Sequence, residues 1–119
     1  MSGGTIINKS SNGNALFADN SGGVILSGGT LQNEVLGGKT ANLSGKGQLE
    51  VTNVTSTGEF YICTINYSSI NISGGTFTAN PSSNEEGSIE SNALCIDCYG
   101  NEDKEINISR RYLYCKYKS

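Results

Sequence analysis

A Ser-Gly-Gly-Thr sequence recurs three times in this 119-residue chain: SGGTIIN at residues 2–8, SGGTLQN at 27–33 and SGGTFTAN at 73–80. Recurrence of a short sequence is typical of repeat architectures, in which each unit stacks on the next. Because Gly lacks a Cβ atom, a Gly-Gly pair permits positive φ and a close approach of neighbouring backbone. We therefore expect each Gly-Gly pair to form a corner at the same place in its unit.

Short alternating stretches surround these corners. Aliphatic residues at every second position predict β-strands, and no window of about eleven residues or more shows a helical period. The chain is therefore predicted to be all-β. The stretches are Val24-Ile25-Leu26, Leu49-Glu50-Val51, Ile70-Asn71-Ile72 and Ile106-Asn107-Ile108. Aligning them places a Ser or Thr anchor at positions 2, 27, 52, 73 and 109, with spacings of 25, 25, 21 and 36 residues.

These spacings predict a β-solenoid. In such a fold equivalent strands of successive coils stack in parallel ladders, about 4.8 Å apart. An antiparallel sandwich also has short strands and frequent turns, but it does not require a recurring anchor. The long last spacing predicts an insertion within residues 80–104, and residues 110–119 are predicted to cap the C-terminal end. We expect a single domain over residues 1–119 with about five coils.

Composition excludes several kinds of function. The chain has no His, which excludes a His general base, a His-containing triad and His metal ligands. The net charge is −3, and without a basic stripe we predict no nucleic-acid binding. No apolar run approaches the roughly 20 residues of a membrane-spanning helix, so no membrane insertion is predicted. The first residues do not resemble a signal peptide. We expect either a cytosolic protein or a piece of an exported one, and favour the piece.

The Gly-Gly motifs resemble the repeats of polymorphic outer membrane proteins, which are marked by Gly-Gly-x-(Ile/Leu/Val) together with Phe-x-x-Asn. The matching stretches are Gly3–Ile6, Gly22–Ile25, Gly28–Leu31, Gly74–Phe77, Phe17–Asn20 and Phe77–Asn80. More broadly, most of residues 2–109 resembles right-handed parallel β-helix surface proteins of the pectin-lyase-like type. The resemblance implies a right-handed parallel β-helix and a secreted or cell-surface adhesion module without catalysis. Its partner would be a glycan or a host or cell-surface protein.

The four cysteines, Cys63, Cys95, Cys98 and Cys115, all lie in the second half of the chain. In an exported chain they are candidates for two disulfides, with Cys63–Cys95 and Cys98–Cys115 as one arrangement between neighbouring coils. A second interpretation is buried thiols that pack as small apolar side chains. A third is zinc held by four thiolates, which the wide separation of Cys63 and Cys115 makes unfavourable. We predict no metal site and no cofactor.

Aromatic and basic residues cluster near the end of the chain. The predicted ligand-binding residues are Tyr99, Arg110, Arg111, Tyr112 and Tyr114. Alternation places Tyr112 and Tyr114 on one face of a strand, where they would stack on a glycan or another acidic ligand. The alternative interpretation is a cap that covers the open end of the solenoid.

Two other functions stay open. One is a fragment of a polysaccharide lyase or hydrolase, although Asp19 and Asp97 match in units that are not adjacent. The other is a structural stalk that forms homo-oligomers by stacking coil ends or edges.

Threonine pairs at residues 55–57 and 76–78 are not expected at equivalent coil positions, so no regular threonine ladder of the kind that binds ice is predicted.

Overall fold

The computed structural model describes residues 1–19, 22–35, 38–64, 67–79 and 93–97, and the backbone of two strands at 105–108 and 114–115. The regular secondary structure of these residues is entirely β. The predicted insertion and the predicted C-terminal cap lie largely outside them. The strands are β1 (Ser2–Asn8), β2 (Leu16–Asp19), β3 (Val24–Leu26), β4 (Gly28–Asn33), β5 (Lys39–Ser44), β6 (Gly47–Val51), β7 (Thr55–Thr57), β8 (Glu59–Cys63), β9 (Tyr67–Ile72), β10 (Thr76–Thr78), β11 (Leu94–Asp97), β12 (Glu105–Ile108) and β13 (Tyr114–Cys115).

From β1 to β12, every third strand joins the same sheet, and β13 stands next to β11. The first sheet has the order β1-β4-β7-β10, the second β2-β5-β8-β11-β13 and the third β3-β6-β9-β12. All strand pairs among the described residues are parallel. The prediction of an all-β fold is confirmed for the residues that the structure describes. The three parallel sheets are compatible with the predicted β-helix, whereas an antiparallel sandwich does not describe these residues.

In the third sheet, the aliphatic residues at alternate positions are aligned from strand to strand. One register column contains Val24, Leu49, Ile70 and Ile106, and the next contains Leu26, Val51, Ile72 and Ile108. This is the alignment that the sequence predicts. Leu49, Val51, Ile70 and Ile72 are fully buried. Burying a side chain of this size contributes about 1.5–3 kcal/mol relative to leaving it exposed.

The anchor residues stack on one another at the end of this sheet. The backbone N–H of each anchor donates to the carbonyl oxygen of the residue that precedes the previous anchor. The distance is 2.8 Å from Ser27 to Met1, 2.9 Å from Thr52 to Leu26 and 2.9 Å from Ser73 to Val51. The bonds repeat although the anchors are separated by 25 and then 21 residues. The anchors therefore occupy equivalent positions in successive three-strand units.

The Gly-Gly corners depend on both properties expected of glycine. A Cβ atom at Gly28 would lie 2.5 Å from the carbonyl oxygen of Ser2, and one at Gly74 would overlap the carbonyl oxygen of Thr52. In the three Ser-Gly-Gly-Thr corners the second glycine has positive φ: +89° at Gly4, +103° at Gly29 and +123° at Gly75. At Gly28 and Gly74 the first glycine is thus required by the close backbone of the previous unit, and the second glycine of each corner is required by its positive φ.

Polar side chains are also stacked between units. Asn8 donates its side-chain amide to Oδ1 of Asn33 at 3.2 Å, and Asn33 in turn donates to the carbonyl oxygen of Lys39 at 2.7 Å. The hydroxyls of Thr40 and Ser56 are both buried and lie 2.6 Å apart. Because buried polar groups are costly without partners, these bonds allow polar residues inside a narrow core.

The expectation about threonine is wrong. The ladder pairs Thr5 with Thr30, Thr30 with Thr55 and Thr55 with Thr76. Residues 55–57 and 76–78 therefore lie at equivalent positions, each three residues after an anchor. The adjacent outward column contains Ile7, Gln32, Thr57 and Thr78. The threonine array is regular in one column only, and just two neighbouring strands carry Thr at both outward positions.

Candidate functional site

The second sheet presents its alternate residues outward. Its inward columns contain Leu16, Ala41, Phe60 and Leu94, followed by Ala18, Leu43, Ile62 and Ile96. The outward residues between and after them form what we call the outer face of the second sheet. One outward column contains Phe17, Asn42, Tyr61 and Cys95; the other begins with the pair Asp19–Ser44 and ends with the pair Cys63–Asp97.

Tyr61 is held by charged groups on this face. Its hydroxyl donates a hydrogen bond to Oδ2 of Asp97 at 2.8 Å. The Nζ atom of Lys39 lies 5.1 Å from the centre of the Tyr61 ring and 3.7 Å from the carboxylate of buried Glu59. A cation over an aromatic ring contributes about 0.5–1 kcal/mol at exposed sites. Tyr61 is therefore a half-buried aromatic side chain with a fixed orientation.

The other end of the face is more open. The ring of Phe17 is exposed, at 61% of its accessible surface. Beside it, the hydroxyl of Ser44 donates to Oδ1 of Asp19 at 3.1 Å and also lies 3.5 Å from the carbonyl oxygen of Ala18. The face thus combines two aromatic side chains with hydrogen-bonding carboxylates at both ends.

The two carboxylates are too far apart to act together on one glycosidic bond. Asp19 and Asp97 stand on strands separated by three ladder steps, which corresponds to roughly 14 Å at the spacing of parallel strands. Paired carboxylates of glycosidases are separated by about 5–9.5 Å. The arrangement is suited to hydrogen bonding with a polar ligand rather than to acid–base chemistry between these two groups.

The structure does not place Cys63 and Cys95 opposite each other. Cys63 and Cys95 lie on the adjacent strands β8 and β11, but Cys63 pairs with Asp97 and Cys95 pairs with Tyr61. Cys63 is a free thiol, whereas Cys95 is disulfide-bonded. The suggested Cys63–Cys95 pair does not form, because the two residues are offset by two positions. Within the described ranges, no three His, Cys, Asp or Glu side chains come together as a metal site.

Most of the predicted ligand-binding residues lie outside the described part of the chain. These are Tyr99, Arg110, Arg111 and Tyr112, together with Cys98. In the β11–β13 ladder, Tyr114 pairs with Leu94 and Cys115 pairs with Cys95. The C-terminal ligand site and its alternative as a cap both stay predictions.

Sequence reasoning did not single out Lys39, Tyr61 and Phe17 as site residues. The necessary signal was present, because the stretch from Asn14 to Asp19 matches the stretch from Asn92 to Asp97. Placing Phe60–Cys63 between them, with alternation counted from Phe60, would have assigned Phe17 and Tyr61 to one outward column.

Comparison with known proteins gives no match: no protein-family model, no curated protein and no solved structure is similar to the chain. The resemblance to polymorphic outer membrane protein repeats therefore depends on the short motifs alone. In the described residues there is no helix long and apolar enough to cross a membrane.

Proposed function

We propose that the chain is a right-handed parallel β-helix of about five coils that serves as a non-catalytic binding module of an exported cell-surface protein. The three-strand period, the stacked anchors and the Gly-Gly corners support the coil architecture. Right-handed crossovers are strongly favoured between parallel strands. Repeats of this kind build long, rigid outer faces, and such faces are well suited to binding extended partners.

The partner proposed is a glycan bound at the outer face of the second sheet. The observation that supports it is the Tyr61 ring, half-buried and oriented by Asp97 and Lys39. Tyr combines an apolar ring face with a polar group that can exchange hydrogen bonds. Because the amine of Lys39 lies over one face of the ring, the C–H groups of the sugar would stack on the opposite face. Asn42 and Ser44 add amide and hydroxyl groups on the same face.

The test is binding of the purified chain to a glycan array, followed by calorimetry with each ligand found. Tyr61→Ala is expected to lower affinity about tenfold, which corresponds to a loss of about 1.4 kcal/mol of binding free energy when the stacking ring is removed. Ile25→Ala is the control, since it also truncates a large side chain, 63% exposed, but on the third sheet. Absence of any glycan ligand, or equal loss in both variants, contradicts the proposal.

The C-terminal residues predicted from sequence are tested in the same assay. If Tyr112 and Arg110 bind the glycan instead, Tyr112→Ala and Arg110→Ala lower affinity while Tyr61→Ala does not. Release of reducing ends or unsaturated products from a bound polysaccharide would indicate the lyase or hydrolase alternative.

Self-association through the strand edges is a second candidate function. The exposed large apolar side chains among the described residues are Ile6, Ile7, Phe17 and Ile25, and all four lie on β1, β2 or β3. Those strands form one edge of each of the three sheets, and exposed edges favour pairing with another chain. Sedimentation velocity over a range of concentrations tests this: Ile6→Lys should reduce any oligomer, and a concentration-independent monomer rules it out.

A further inference from the structure

The outer face of the second sheet carries two aromatic side chains at a defined separation. Register places Phe17 opposite Asn42 and Asn42 opposite Tyr61. The two aromatic residues are therefore two ladder steps apart, which is about 9.6 Å at the spacing of parallel strands. This is close to the length of a disaccharide unit in an extended glycan.

We propose, building on the glycan-binding function above, that this face binds a linear, neutral, β-1,4-linked glycan laid across the strands, with Phe17 and Tyr61 as its two stacking platforms. In an extended β-1,4-linked chain each sugar is flipped relative to its neighbour. Every second ring therefore presents the same face in the same direction. Two platforms separated by a disaccharide unit match that repeat.

The residues around the platforms fit the hydroxyl groups of such a chain. Asn42 lies in the same column between the platforms, where its amide can both donate and accept a hydrogen bond. The neighbouring column contains Asp19 with Ser44 at one end and Asp97 at the other. Carboxylates accept hydrogen bonds from sugar hydroxyls and have further lone pairs beyond the bonds from Ser44 and Tyr61.

Charge on the face favours a neutral glycan over an acidic one. Asp19 and Asp97 flank the path of the ligand, and like charges brought together on binding are unfavourable. The amine of Lys39 faces the ring of Tyr61 and the carboxylate of Glu59, so part of its charge is already compensated within the protein. A polymer of uronic acids would place a carboxylate on every sugar against this face.

The experiment measures binding of cello-oligosaccharides, from disaccharide to hexasaccharide, by calorimetry. Affinity for the wild-type chain should rise about tenfold once the ligand is long enough to cover both platforms, a gain of about 1.4 kcal/mol of binding free energy. Phe17→Ala should abolish that rise and leave the affinity for the disaccharide unchanged. Ile25→Ala, on the third sheet, is the control and should retain the rise. Polygalacturonate should bind at least tenfold more weakly than the hexasaccharide.

The outcomes separate this proposal from the function it builds on. If Tyr61→Ala weakens binding and Phe17→Ala leaves the length dependence intact, the two-platform arrangement is wrong and glycan binding at Tyr61 stands. If the chain binds polygalacturonate or an unrelated glycan better than every cello-oligosaccharide, the ligand class is wrong and the binding function stands. If no glycan binds, both are wrong. Circular dichroism of each variant confirms that the β fold is retained.

Discussion

The first three-strand unit and the third have the same kind of strands but very different burial. In the third unit, β7–β9, the inward residues Phe60, Ile62 and Ile70 are fully buried. In the first unit, β1–β3, the inward residue Ile6 is 41% exposed although its register neighbour Leu31 is fully buried. A unit of this size therefore gains its burial from the units stacked on both sides of it.

Truncation of an inward side chain should show the largest difference between the two units. Ile70→Ala in the third unit is expected to lower the free energy of unfolding by about 2–5 kcal/mol, because it leaves a cavity among fully packed neighbours. Ile6→Ala in the first unit, at an inward position that is 41% exposed, should lower it by only about 1 kcal/mol. Urea denaturation followed by circular dichroism measures both, and similar losses would show that stacking does not determine burial.

The first glycine of the Gly-Gly corner gives a second comparison. Gly74→Ala should destabilise the protein by about 1–3 kcal/mol, since the added Cβ overlaps the carbonyl oxygen of Thr52. Gly3 occupies the same position of the motif in the first unit, and nothing lies within 4 Å of a Cβ atom built there. Gly3→Ala should change stability by less than about 1 kcal/mol. A costly Gly3→Ala variant would contradict the stacking explanation in the same denaturation assay.

The outward column of the second sheet that contains Phe17 and Tyr61 allows a test with a smaller expected effect. Tyr61→Phe removes the hydrogen bond to Asp97 and should cost about 1 kcal/mol of unfolding free energy. The reciprocal change in the first unit, Phe17→Tyr, adds a hydroxyl to an exposed ring and should be neutral within about 0.5 kcal/mol. Thermal melts of the two variants can be compared directly. An unchanged Tyr61→Phe variant would mean that Asp97 does not orient the ring.

Tyr67, in the third unit, is expected to have the smallest effect on stability near neutral pH, because its contribution changes only at alkaline pH. Burial raises the pKa of Tyr67, with the backbone at Gly45 opposing the shift. Because the folded chain then holds this proton more tightly than the unfolded chain, stability is unaffected below the ordinary tyrosine pKa of about 10 and falls above it. Urea titrations at neutral and at strongly alkaline pH give the unfolding free energy under both conditions. Between the two, the Tyr67→Phe variant should lose less unfolding free energy than the wild type. Equal losses of unfolding free energy in the wild type and the variant at alkaline pH would show that other groups cause the loss.

Register between distant strands was predictable where a clear sequence marker was present. The aliphatic columns of the third sheet follow from aligning Ile70 and Ile72 with Leu49 and Val51. The threonine column was missed because the third unit has Asn53-Val54 in place of Gly-Gly, which hides the equivalence of Thr55 and Thr30. Counting three residues from each anchor would have revealed it.

Irregular register limits such counting in the second sheet. The pairing of β5 with β8 passes from Lys39–Glu59 to Ala41–Phe60, so Thr40 is an extra residue in the ladder. Thr40 is buried and hydrogen-bonds the hydroxyl of Ser56 and the carbonyl oxygen of Glu59. A bulge of this kind shifts every later residue by one position. Since the bulge depends on a partner many residues away, local sequence does not specify it.

The sequence by itself determined the all-β class, the recurring anchors, the Gly-Gly corners and the aliphatic columns. These depend on properties of single residues and short periods: the absence of a Cβ atom in glycine, and alternation with period two. Only the tertiary structure decided that Asp97 reaches the hydroxyl of Tyr61, that Lys39 lies over its ring, and that Cys63 and Cys95 do not meet. Those relations depend on backbone hydrogen bonds between units separated by 20 or more residues, where a shift of one residue changes which side chains are neighbours.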